Sequence, residues 1–106
     1  MKGAVLAINA DGTTDLIQVG DPAVLPHLRR IVGGHIEGVP MFLSVPVGGR
    51  VRRCVAFCNE EGKLKGLPVN APATMLWHRS AGRDTGDVLV GNVAVVWGDE
   101  EFMGEL

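Results

Sequence analysis

Apolar residues run almost unbroken from Lys2 to Ile8, and the run stops at Asn9-Ala10-Asp11-Gly12. A continuous apolar stretch of this length fits a strand buried on both faces. Asp-Gly is a strong hairpin signal, so Thr13–Val19 is predicted to return as a second strand. The period then changes. Val24, Leu25, Leu28, Ile31 and Val32 recur at helical spacing, while His27, Arg29 and Arg30 take the other side. Asp21 suits an N-cap, Pro22 suits the first helical position, and Gly33-Gly34 supplies the stop. These signals predict a helix over about 21–32.

Shorter elements follow. Ile36–Val39 and Met41–Val47 read as one broken strand or two, interrupted at Pro40. Pro46 places the second of these at an edge, because proline donates nothing to a ladder. Gly48-Gly49 predicts a tight turn, and Arg50–Cys58 runs back from it. Along that run Val51, Val55 and Phe57 share one face, and Cys54, Ala56 and Cys58 share the other. Asn59-Glu60-Glu61-Gly62 has type I turn chemistry, with Lys63–Leu67 expected to close a hairpin. Asn70 caps a short helix over about 71–79, whose first turn tolerates Pro72. Ser80–Gly86 reads as a loop and Asp87–Gly98 as a long valine-rich strand, bulged at Gly91-Asn92. The acidic tail Asp99–Leu106 is expected to fray. This order predicts a single α+β domain over residues 1–106: a twisted, mainly antiparallel sheet with both helices on one face.

Composition narrows the function more than the fold. Of 106 residues, 46% are hydrophobic and 21% charged, a globular balance. Ten bases against twelve acids leave a net charge of −2. That is no footprint for a long nucleic acid and too little acidity for a mimic of one. The first apolar run is too short for a signal-peptide core or a membrane span; the expectation is a cytoplasmic protein with no membrane partner. Cys54 and Cys58 lie four strand steps apart, roughly 13 Å, whereas a disulfide needs Cα atoms within about 7 Å. No second Cys/His pair stands at zinc-ligand spacing, and no metal or cofactor is expected.

The side chains that carry chemistry are few. His35 and Glu37 are two apart on a strand and so share a face, as an acid–base pair or an exposed polar face would. Adjacent carboxylates at a turn, such as Glu60 and Glu61, seldom converge for hydrolysis or cation binding; loops do commonly carry recognition. Arg50, Arg52 and Arg53 form a small basic patch without interleaved aromatics, which favours a small anion over a single strand of nucleic acid. Ser44 and Ser80 lack a nucleophile context. Asn59 and Asn70 have local duties as turn and cap, whereas Glu37, Glu60 and Glu61 have no evident stabilising role. The expected functional surface is therefore the Asn59–Gly62 turn, with Glu37 and Asn70 as neighbours.

Val32-Gly33-Gly34-His35-Ile36-Glu37 and Asn59-Glu60-Glu61-Gly62-Lys63-Leu64-Lys65-Gly66-Leu67-Pro68-Val69-Asn70, followed by Ala73-Thr74 and Gly91-Asn92-Val93-Ala94-Val95, resemble a small-protein family of unknown function. It is spread through tailed bacteriophages, plasmids and actinobacterial genomes. The resemblance implies no activity but implies a setting: a small accessory protein, often phage-encoded, acting in the host cytoplasm. Three functions are expected in order. The first is a non-enzymatic module binding a host protein or its own copy, as a homodimer that covers surface two helices leave bare. The second is a binder of a small anionic ligand, such as a nucleotide-like signal, through Arg50 and Arg52. The third is a small enzyme using His35 with a nearby carboxylate.

Overall fold

The structure, a computed structural model, describes residues 2–20 and 24–106. The Asp21-Pro22 cap lies outside the described residues. Seven strands and three helices are present among those described: β1 (Gly3–Ile8), β2 (Thr14–Val19), α1 (Val24–Val32), β3 (Ile36–Gly38), β4 (Ser44–Val47), β5 (Arg50–Arg53), β6 (Val55–Asn59), α2 (Ala71–Ala81), β7 (Val93–Gly98) and α3 (Glu100–Met103). Five strands form an antiparallel sheet in the order β2-β1-β7-β6-β3, and β4-β5 is a separate hairpin turning at Gly48-Gly49. The α+β class and the mainly antiparallel sheet are as the sequence predicts.

The two predicted helices lie on opposite faces of the sheet, not on one. β7 sits at its centre, and Val93, Ala94, Val95 and Val96 are all fully buried. Ala94 and Val96 join Val5 and Val19 under Val24, Leu28 and Val32 of α1. Val93 and Val95 face the other way, with Ile8 and Ala56, toward Ala73 and Trp77 of α2 and Val45 of the hairpin. A strand apolar on both faces needs cover on both, and one helix layer supplies only half of it. Among the described residues α2, with eleven, is longer than α1, with nine.

Three other expectations give way to packing. Arg50–Cys58 is two strands, because the chain breaks at buried Cys54, whose N–H donates to the Leu43 carbonyl at 2.9 Å. Lys63–Leu67 is a series of turns closed by Lys65 N–H to Glu61 O and Leu67 N–H to Gly62 O. β6 already has β7 on one side and β3 on the other, so no edge is left for a further strand. The last strand begins only at Val93. Gly91, at φ +71°, turns the chain there, and a Cβ on it would lie 2.7 Å from Leu67 Cδ1.

The tail does not fray. Asp99 caps α3 by accepting the Phe102 N–H at 2.8 Å, and Phe102 is fully buried. Its ring lies on the paired glycines Gly3 and Gly98, where an added Cβ would come within 2.2 Å and 2.6 Å of it. Asp-Glu-Glu is the acid-rich opening that a helix N-terminus favours. No helix among the described residues is long and apolar enough to cross a membrane.

Phe102→Ala should cost about 3–5 kcal/mol in equilibrium denaturation, the usual loss for truncating a buried phenylalanine; a loss below about 1 kcal/mol would mean that the tail is not docked. Both cysteines are free thiols. Burial pushes the Cys54 thiol up to about 11 from an ordinary 9.0. A raised folded-state value stabilises fully below the unfolded value and is lost as pH rises through the folded one. The stability of the native protein should therefore fall between about pH 9 and pH 11, with a shallower fall in Cys54→Ala, read by denaturation across that range.

Candidate functional site

β3 and β6 place the first side chains of a cleft. Their register sets Glu37 opposite Cys58, and residues opposite each other across a ladder share a face. Here that is the α2 face, where Cys58 packs on the core. Trp77 of α2 forms part of the floor, and its indole N–H donates to the Pro40 carbonyl at 2.7 Å. This bond fixes the chain leaving β3 against the helix. The turns after β6 bring Lys63 and Leu64 to one rim, and the Asp87–Val90 segment forms the other. The cleft, open to solvent, has a volume of about 270 Å³.

Both rims are tied. The Lys63 ammonium pairs with the Asp87 carboxylate across the opening, and this bond holds the Asp87 carboxyl below its ordinary range. His78 Nε2 lies 3.0 Å from Thr85 Oγ1 and 3.1 Å from the Asp87 carbonyl oxygen, pinning the loop that carries the rim. Since Lys63 and Asp87 neutralise each other, Glu37 and Glu60 set the charge of the cleft. Both are exposed, and neither has an ion pair with a described residue. Leu64, at 89% exposed, and Val88 stand beside them as apolar rim.

The expected site residues separate into three groups. Glu37, Asn59 and Glu60 come together in this cleft. Asn59 is there as a fastener: its amide donates to the Val32 carbonyl at the end of α1 at 3.1 Å and accepts the Glu61 N–H at 2.8 Å. Glu61 is exposed outside the cleft lining, and Asn70 is fully buried and also outside that lining. Arg50 and Arg52 lie in a second pocket at the end of β7, with Lys2, Arg53 and Trp97. His35 is exposed and lines neither pocket; its carbonyl accepts the Glu60 N–H at 2.9 Å. Sequence reading does not find Lys63, Trp77 or Asp87 as site residues: the turns after β6 carry Lys63 to the rim, and the docking of α2 and the segment after it brings Trp77 and Asp87 beside Glu37.

Burial and the charge of Glu37 push the Cys58 thiol above its ordinary value, so it stays protonated rather than becoming a nucleophilic thiolate. Among the described residues no group of three or more His, Cys, Asp or Glu side chains converges to hold a metal ion. The cleft is an apolar slot with two carboxylates at its mouth that have no ion pair with a described residue. Such a slot suits a small apolar group with a cation or N–H donor beside it.

Comparison with curated proteins and with solved structures gives no match. Comparison with protein families matches residues 1–104 to DUF3846, a domain of unknown function, and with nearly the whole length matched the chain belongs to that family.

Proposed function

We propose that the protein is a non-enzymatic binding module that takes an apolar side chain and an adjoining basic group from a partner protein into the cleft beside β3. The observation carrying this reading is the pair Glu37 and Glu60, two carboxylates without ion-pair partners among the described residues, over an apolar floor. β3 is also an edge strand. His35 O and Val39 N bond toward β6, and backbone groups alternate along an antiparallel pair, so Ile36 and Gly38 turn theirs outward. An extended segment of a partner can add along such an edge while a side chain enters the adjacent pocket. In the phage setting that the sequence resemblance implies, the partner is a host protein. Self-association is the second reading, favoured by β2, a six-residue edge strand on the opposite side with Leu16 53% exposed. His35 pairs with no carboxylate among the described residues, which leaves the catalytic reading without support.

A displayed peptide library selected on the intact protein should yield sequences with a basic residue next to an apolar one. Glu37→Lys combined with Glu60→Lys should weaken those peptides at least about tenfold, or 1.4 kcal/mol, at an unchanged melting temperature. Glu61→Lys, outside the cleft, should leave them bound. Peptides without a basic residue, or binding indifferent to the double substitution, would refute the reading. Light scattering on the same samples reads self-association directly, as a mass twice that of the monomer.

A further inference from the structure

The hairpin β4-β5 carries its residues in an unusual phase. Val45 pairs with Arg52 and Val47 with Arg50. Val45 is fully buried and Val47 packs on the same core. Cross-strand partners share a face, so Arg50 and Arg52 stand on the inward side of the hairpin while Val51 is 76% exposed. A shift of one residue would put the valine in and the arginines out, as a half-buried strand prefers. The two-residue turn at Gly48-Gly49, with φ of +58° and +78°, fixes this register, and its consequence is a pair of arginines on the inward side.

Arg52 shows what the arrangement lacks. Its Nε is shut off from solvent and has no hydrogen-bond partner among the described residues. A guanidinium keeps its charge at any physiological pH, and a buried donor normally finds an acceptor. Among the described residues the surrounding pocket, about 540 Å³, is lined by Lys2, Arg50, Arg52 and Arg53, four cations against the single carboxylate of Asp99. That carboxylate is already engaged with the Lys2 and Phe102 N–H groups, both at 2.8 Å. The half-buried indole of Trp97 forms part of the same lining.

We propose that this pocket binds a small phosphorylated ligand of the nucleotide class, separately from the cleft beside β3. Arginine forks match phosphate oxygens two at a time, and an acceptor from the ligand supplies what Arg52 Nε lacks. Trp97 offers the flat face on which a base stacks. The pocket falls in the usual size range for small-molecule sites, about 300–1,000 Å³. A net charge of −2 gives a long nucleic acid no track beyond the pocket, which restricts the ligand to a small molecule.

The test is calorimetric titration of the full chain, in low salt, with adenosine and guanosine mono-, di- and triphosphates, pyrophosphate and citrate. The nucleotides should bind with quenching of tryptophan fluorescence, at least about tenfold tighter than pyrophosphate, and citrate should bind more weakly than either. Arg52→Gln should weaken every phosphate compound at least about tenfold, with partial recovery in Arg52→Lys. Arg50→Gln gives the same reading if the Arg52 variant does not fold. Trp97→Leu should bring nucleotides down to the level of pyrophosphate and leave pyrophosphate binding intact. Glu37→Lys with Glu60→Lys should change none of this, so failure here and failure of the cleft reading are distinguishable. No binding by any phosphate compound at millimolar concentration, binding equal to that of citrate, or binding indifferent to both arginine substitutions would overturn the proposal.

Discussion

The side chain of Asn70 holds three parts of the chain at one buried point. Its amide donates to the Ile8 carbonyl at the end of β1 and to the Gly91 carbonyl ahead of β7, both at 2.8 Å. Its oxygen accepts the Ala73 N–H in the first turn of α2 at 3.1 Å. Two N–H donors and one carbonyl oxygen are all that an asparagine side chain has, and each has a partner in a site with no solvent access. The backbone joins the same knot. Asn70 N–H donates to Leu89 O, Thr74 Oγ1 donates to Asn70 O, and Leu89 N–H donates back to Thr74 Oγ1. Aspartate would bring no donor, and an apolar residue would remove the side-chain partners of the Gly91 carbonyl and the Ala73 N–H and one of those on the Ile8 carbonyl.

The cleft depends on this knot without containing it. Asn70 sets where α2 starts, α2 sets where Trp77 lies, and Trp77 holds Pro40 behind β3. The same knot fixes Leu89, within the segment that forms the far rim. Asn59 acts likewise toward the other layer, joining the end of α1 to the turn that carries Glu60. The buried asparagines thus take the structural work, and the exposed acids between them are left without any. Sheet and helix reach their places through neutral amides, so substitution of Glu37 and Glu60 leaves the frame standing.

Features that depend on a few neighbouring residues were legible in the sequence. The helical spacing from Val24 to Val32, the Gly48-Gly49 turn and the Asn70 cap each announce themselves locally, and all are found. The placement of helices on faces was not, because it follows from β7 needing cover on both sides and from which loop crosses which edge. Lys63–Leu67 has a sequence that could pair, but the sheet offers it no free edge. The end of the chain was legible in part: Asp99-Glu100-Glu101 signals a helix start, but the ring that anchors it needs Gly3 and Gly98 side by side, ninety-five residues apart in sequence (98 − 3). Within the site, Glu37 and Glu60 stand out because nothing local explains them. Lys63, Trp77 and Asp87 do not, because each also fits an ordinary surface or core position. The inward phase of Arg50 and Arg52 becomes visible only when the register with Val47 and Val45 is known.

Equilibrium denaturation of Asn70→Ala against the native protein tests most directly whether this knot governs the fold. Removing the amide breaks three buried hydrogen bonds, at about 1 kcal/mol each or more. The predicted loss is therefore about 3 kcal/mol or greater, a large share of the stability of a chain this size. A loss below about 1 kcal/mol would contradict the account and place the organising constraint elsewhere in the core.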